Sequence, residues 1–151
     1  MIKTLVTVSP EQTVGEAVSL MRKSKLRILP VIDSEGKICG VFSTKSMLRH
    51  VVPEYIISGE MTSIPFAPDI GMLQKHYSEI MNRPVSEVMD SDPLLVNEHE
   101  SLLSTASNLA AHEKWEYAFV VDESFKLMGI VSSGDILDRL HSTVTAKSFD
   151  A

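Results

Sequence analysis

One hydroxyl and carboxylate pair, and one pair of hydroxyls, stand out for their spacing. Ser132 and Asp135 lie three residues apart just after an apolar run, and Ser43 and Ser46 repeat that spacing earlier in the chain. On spacing alone, Ser132 and Asp135 read as the N-cap and third residue of a helix, where an acid is stabilising without any ligand. Catalytic patterns are harder to find. His50, His76, His99, His112 and His141 show no paired spacing with cysteine or acidic ligands, so no metal is expected. Neither a glycine-rich phosphate loop nor a G-x-S-x-G nucleophile turn is present, and nothing pairs a nucleophile with a base. The chemistry that these residue types suggest is binding, not catalysis.

Composition narrows the partners. Fourteen Lys and Arg against twenty Asp and Glu give a formal charge of −6, which repels nucleic acid unless a basic stripe overrides it. The densest basic stretch, Arg22-Lys23-Ser24-Lys25-Leu26-Arg27, is short and reads as a solvated helix end. Apolar residues at 44% and charged residues at 23% are ordinary globular values. The single cysteine, Cys39, excludes an internal disulfide, and its apolar neighbours mark it as a small core residue. No signal peptide and no run of about 18 apolar residues is found, so a cytoplasmic protein without a membrane span is expected.

The elements that must position these residues come from an internal repeat. Residues 31–49 align without a gap to 120–138, matching Val31 with Val120, Asp33 with Asp122, Lys37 with Lys126, Gly40 with Gly129, Ser43 with Ser132 and Leu48 with Leu137. Upstream, 8–21 lies on 96–109. Val14, Ala17, Val18 and Met21 share one helical face, as do Leu102, Ala106 and Leu109. Thr13 with Glu16 forms a capping box, and Ser101 offers the equivalent cap. Strands are expected at 28–32 and 117–121, followed by 38–42 and 127–131. The turn Asp33-Ser34-Glu35-Gly36 suits a tight hairpin, whereas Asp122-Glu123-Ser124-Phe125 lacks the glycine and predicts a looser one. Short helices are expected after Ser43 and Ser132.

Each copy thus reads β-α-β-β-α, with a three-stranded sheet covered by helices on one face, and the fold class is α+β in two layers about a pseudo-twofold axis. The expected division is 1–50 for the first repeat, 51–83 for an inserted linker, 84–142 for the second repeat and 143–151 for a tail. The linker holds Pro53, Pro65, Pro68 and Pro84, so it is not one long helix. Within it Asp69 can cap a helix whose Leu73, Tyr77 and Ile80 share a face, and the Ile56-Ile57 and Ile64-Pro65-Phe66 clusters are too apolar for a free linker. Packing on its own chain and packing on a partner subunit both remain open.

The segments LPVID, turn, GVFSTKS and FVVDE, turn, GIVSSGDIL resemble tandem CBS domains, the pair called a Bateman module. The resemblance covers nearly the whole chain apart from the insertion. It implies a cleft for an adenosyl ligand, namely AMP, ADP, ATP or S-adenosylmethionine, a homodimer, and action on a protein partner in trans without catalysis. The family's signature of Gly, two apolar residues, Ser or Thr, two more residues and Asp is complete at Gly129, Ile130, Val131, Ser132, Ser133, Gly134 and Asp135. Asp135 would take the two ribose hydroxyls, since one carboxylate accepts both bonds, and Ser132 and Ser133 would add contacts at the turn. In the first copy Ser46 replaces that acid, so Ser43, Thr44 and Ser46 predict a weak or empty second site. Arg27, before Ile28, is the candidate for the phosphates, its counterpart being Glu116; an exposed arginine at a strand edge is the alternative. The arm before the second repeat, 85–94, would hold adenine through Ser91 and Leu94, and since Met1 aligns with Met89 no equivalent arm is expected before the first, which would weaken that site. Tyr117 is a further lining candidate, although Trp115 and Tyr117 also suit plain packing. A ligand-free module that dimerises or holds a partner through the insertion is the competing function.

Overall fold

The computed structural model describes residues 5–52, 69–112 and 115–149; the Ile56-Ile57 and Ile64-Pro65-Phe66 clusters and Met1 lie outside them. The chain divides into two compact units. A first unit comprises Val6–Ser34 and Ile38–Asp92, and a second gathers Leu5 and Glu35–Lys37 with the chain from Pro93 onward.

In the first unit, α1 (Val14–Ser24) starts at Thr13, whose Oγ1 accepts the Glu16 N–H at 3.1 Å. The Glu16 carboxylate accepts the Thr13 hydroxyl at 3.2 Å and the Gln12 amide at 3.3 Å, which locks the first turn. At the other end Lys25 takes a left-handed φ of 57°, and Leu26 N–H reaches back to Met21 O at 3.0 Å. This is the geometry that closes a helix and satisfies its last carbonyls. Arg22 and Lys23 in that last turn are exposed, as a solvated helix end requires.

Strands β1 (Ile28–Ile32) and β2 (Ile38–Ser43) pair antiparallel, with Ile28 opposite Ser43. The expected third strand shrinks to a single parallel bridge, Val8 to Val31. Pro10 explains it. Its counterpart Glu98 donates an N–H to Val121 O at 2.9 Å in the second unit, a bond that proline has no hydrogen to make. Leu29, Val31 and Phe42 point to the helix-covered face, where they meet Val14, Ala17 and Met21 of α1 and Met47 and Val51 of α2 (Thr44–Val51).

Helix α3 (Asp69–Ile80) lies on α2, with Ile80 in the core, Leu73 partly buried against it and Tyr77 exposed. His76 Nδ1 donates to Val51 O at 2.9 Å. The described part of the insertion therefore packs on its own chain. The short α4 (Val85–Val88) buries both of its valines in this same core.

The second unit holds a three-stranded sheet in the order β3 (Leu95–Asn97), β4 (Tyr117–Val121), β5 (Leu127–Ser132), with β3 parallel and β5 antiparallel to β4. Helices α5 (Leu102–Ala111) and α6 (Ser133–Phe149) contribute Leu109 and Ile136 to a core with Val96, Ala118 and Val120. Ser101 caps α5 through the Ser104 N–H at 3.0 Å. Two expectations change here. Leu102 does not join Ala106 and Leu109 inside but is 41% exposed, and α6 is 17 residues long, not short.

The second hairpin is not looser than the first. Its register break falls at the equivalent place, and Phe125 adopts φ 64° where Gly36 has φ 82°. Asp122 Oδ1 holds the turn by accepting N–H groups from Ser124 at 2.8 Å and Lys126 at 3.0 Å. Asx bonding thus imposes on a phenylalanine a conformation that glycine adopts freely. Among the described residues no helix is long and apolar enough to cross a membrane.

Candidate functional site

The junction between β5 and α6 places Ser132 and Asp135 in mutual contact. Asp135 N–H donates to Ser132 Oγ at 3.0 Å, and Ser132 N–H donates to Asp135 Oδ2 at 2.8 Å. Both ends of a capping box are made, so the structural role of the pair is fulfilled. It consumes one carboxylate oxygen only. Asp135 Oδ1 has no partner among the described residues, and the side chain is half-buried. A fixed carboxylate with a free oxygen at a strand end can accept hydroxyl hydrogens from a diol.

Ser133 N–H donates to Glu116 O at 3.0 Å, with its hydroxyl 3.5 Å from the same oxygen. This ties the start of α6 to the residue before β4. Thr44 N–H makes the same bond to Arg27 O at 3.1 Å in the first unit. Sequence reasoning missed Glu116 in this role, because a backbone carbonyl leaves no mark on residue type.

Strand alternation sorts the other candidates. Tyr117, Ile130 and Ser132 share one face of the sheet through the pairs Tyr117–Ser132 and Phe119–Ile130. Val131 pairs with Ala118 and packs on the opposite, helix-covered face with Leu94. Ile130 and Val131 therefore present their side chains to opposite faces of the sheet. Leu94 also accepts the Phe119 N–H on its carbonyl at 2.8 Å, which fixes the arm on β4. Trp115 is buried, in keeping with packing. Ser91 is exposed and clusters with the first unit, so the arm is divided between the units at Asp92 and Pro93.

In the first unit the equivalent pair is neutral and inward. Ser43 Oγ accepts the Ser46 N–H at 3.1 Å, the two hydroxyls lie 3.0 Å apart, and both residues are buried. Ser46 thus spends its hydroxyl on Ser43. Ile28 is half-buried at the start of β1, and the exposed Arg27 lines a cavity of about 340 Å3 with Arg22, Lys25, Leu26 and Thr44. Cys39 donates its thiol to Val31 O at 3.3 Å; burial, reinforced by Asp33, pushes its pKa up, so it is a poor nucleophile. Among the described residues no three His, Cys, Asp or Glu side chains gather as metal ligands.

Gly40 explains itself by proximity. A Cβ there would meet Met89 Sδ at 2.5 Å and Asp90 O at 2.9 Å, because Val41 and Asp90 exchange two backbone bonds of 2.8 Å. The CBS domain sequence model matches residues 1–53 and 85–142, the two stretches that carry these repeated strands, glycines and caps. The chain belongs to the CBS domain family. The chain is 30% identical over 139 residues to inosine-5'-monophosphate dehydrogenase of Aquifex aeolicus, a match that covers 92% of this chain and 23% of that protein. The chloroplastic CBS domain-containing protein CBSX1 of Arabidopsis thaliana is 28% identical over 137 residues, covering 86% of this chain and 56% of the relative. The chain therefore spans only part of the length of these relatives. The solved structure of CBSX2 in complex with AMP superposes with a TM-score of 0.68 at 27% identity, covering 93% of this chain and 90% of that one.

Proposed function

We propose that this CBS pair is a nucleotide-responsive module that binds an adenosine-type ligand, performs no reaction, and acts on a protein partner in trans. The carrying observation is the complete Gly129 to Asp135 signature, folded so that Asp135 is held by Ser132 and keeps Oδ1 free. A ribose diol donates to that oxygen in a charge-assisted bond. Tyr117 and Ile130, on the face of Ser132, supply apolar surface, and Ser133 and Leu94 fix the ends of the strand and arm around it. That CBSX2, at 27% identity, is crystallised with AMP makes AMP the first ligand to test, with ADP, ATP and S-adenosylmethionine beside it.

Calorimetric titration with these four compounds is the test, on the parent protein and on Asp135→Ala. The expected result is saturable binding of at least one of them that D135A removes; no binding at about millimolar ligand refutes the function. The tied hydroxyls of Ser43 and Ser46 lead to one strong site, and a stoichiometry of two equal sites would contradict this. The second reading is a homodimer through α6, whose Leu137, Leu140 and Val144 are exposed at 65%, 48% and 66% and fall on one helical stripe. Sedimentation equilibrium decides it: L140E should give the mass of one chain where the parent gives two.

A further inference from the structure

The two units have the same fold but differ in what covers α1 and α5. Along α1 of the first unit runs the segment 81–86. Val14 N–H donates to Arg83 O at 2.9 Å and Gly15 N–H to Met81 O at 2.9 Å, while Val85 N–H donates to Gln12 O at 2.8 Å and Ser86 N–H to Pro10 O at 3.1 Å. Val85 and Val88 then complete the core against Val14 and Ala17, and all four are fully or almost fully buried.

Aligning Val8 with Val96 gives the counterparts in the second unit. The carbonyls of Glu98 and Glu100 and the N–H groups of Leu102 and Leu103 correspond to the four groups just named, and none has a partner among the described residues. Among the described residues a groove of about 540 Å3 stands at the corresponding place. Val96, Leu102, Thr105, Val120, Met128 and Val131 line it. Leu102 is 41% exposed where Val14 is fully buried, and Met128 is 46% exposed. The exposed first turn of α5 and the carbonyls of Glu98 and Glu100 thus offer backbone donors and acceptors beside an apolar trough.

We propose that this groove docks a short peptide segment of a partner protein, built like residues 81–89 of this chain: a basic residue, a proline, and two aliphatic residues three apart in a single helical turn. The backbone register comes from the first unit, where that arrangement is seen. Charge adds the basic residue. The rim carries Glu98 and Glu100 where the first unit has Pro10 and Gln12, with Arg139 the one cation among the described residues that line the groove. The Glu100 carboxylate is bonded to the Ser104 hydroxyl and that of Glu98 to His99, which leaves both acids in place at the surface.

The probe is a fluorescein-labelled peptide with the sequence of residues 81–89, acetylated and amidated, titrated into the full chain by anisotropy and mapped by amide and methyl shifts. Saturable binding should perturb Leu102, Leu103, Thr105 and Met128. Leu102→Arg, at a half-exposed position, should weaken it roughly tenfold or more, and so should aspartates in place of both valines of the peptide. AMP titration of the L102R variant should be unchanged, which separates this groove from the nucleotide reading. No saturation at about millimolar peptide overturns the proposal, as do equal affinity for L102R or shifts at Val14 and Ala17, which would mean exchange with the chain's own segment.

Discussion

Asp135 Oδ2 is bound to the Ser132 N–H, so replacing this residue removes a helix cap along with the expected diol acceptor. The two losses separate by choice of substitution. D135A should cost about 1 kcal/mol of stability by denaturant titration and abolish AMP binding. D135N retains an oxygen for the Ser132 N–H and should stay near parent stability, while AMP affinity falls about tenfold with the loss of charge. Phe125 gives a second prediction at this scale. Its left-handed φ costs about 1–2 kcal/mol relative to an ordinary conformation, and at 58% exposure its ring gains little from burial. Phe125→Gly restores what Gly36 provides in the other hairpin and loses about 0.5–1 kcal/mol to unfolded-chain entropy. The midpoint of chemical denaturation should therefore rise by the equivalent of roughly 0.5 kcal/mol; a fall would show that the ring packs.

Elements were legible where local chemistry decides them. Strands at 28–32 and 117–121 and the caps at Thr13 and Ser101 follow from periodicity and residue type, and the structure has them at the same positions. What escaped was long-range or backbone-borne. The shortening of the first strand turns on one missing hydrogen at Pro10, and the hairpin of Phe125 turns on Asp122 overriding the preference of its neighbour. Of the candidate site, the Ser132 and Asp135 contact was readable from spacing, whereas the Glu116 carbonyl and the division of Ile130 from Val131 needed the pairing register. The Gly40 contact with 89–90 has no sequence signature beyond the glycine itself. G40A should destabilise the first unit by about 1–3 kcal/mol, because a backbone oxygen at 2.9 Å has little room to retreat. G40A/M89A should recover only part of the loss, since trimming the methionine leaves Asp90 O where it is; full recovery would place the whole clash on the thioether.

For the molecule as a whole, ligand and fold are linked. A nucleotide that binds only the folded chain should raise its stability by about 2.7 kcal/mol at a hundredfold excess over the dissociation constant, read as an increase in Tm that D135A lacks. An equal increase in D135A would place the ligand elsewhere. The direction of that linkage also describes how such a module reports on its ligand: occupancy shifts a population, and a partner that distinguishes the two populations responds.

The arm after Pro84 matches the family at 85–142, yet down to Asp92 its contacts lie with the first unit, where Val85 and Val88 close the core. Heredity and folding therefore draw their borders at different residues. The family match carries this stretch with the second copy, but the first copy needs it to exclude water from Val14 and Ala17. A chain cut at 84 should yield a first half that aggregates or stays unfolded, and a chain cut at 92 one that folds, as far-UV circular dichroism of the two fragments would show. Exchanging whole repeats at the family border would therefore transplant a piece of the neighbour's core with each exchange.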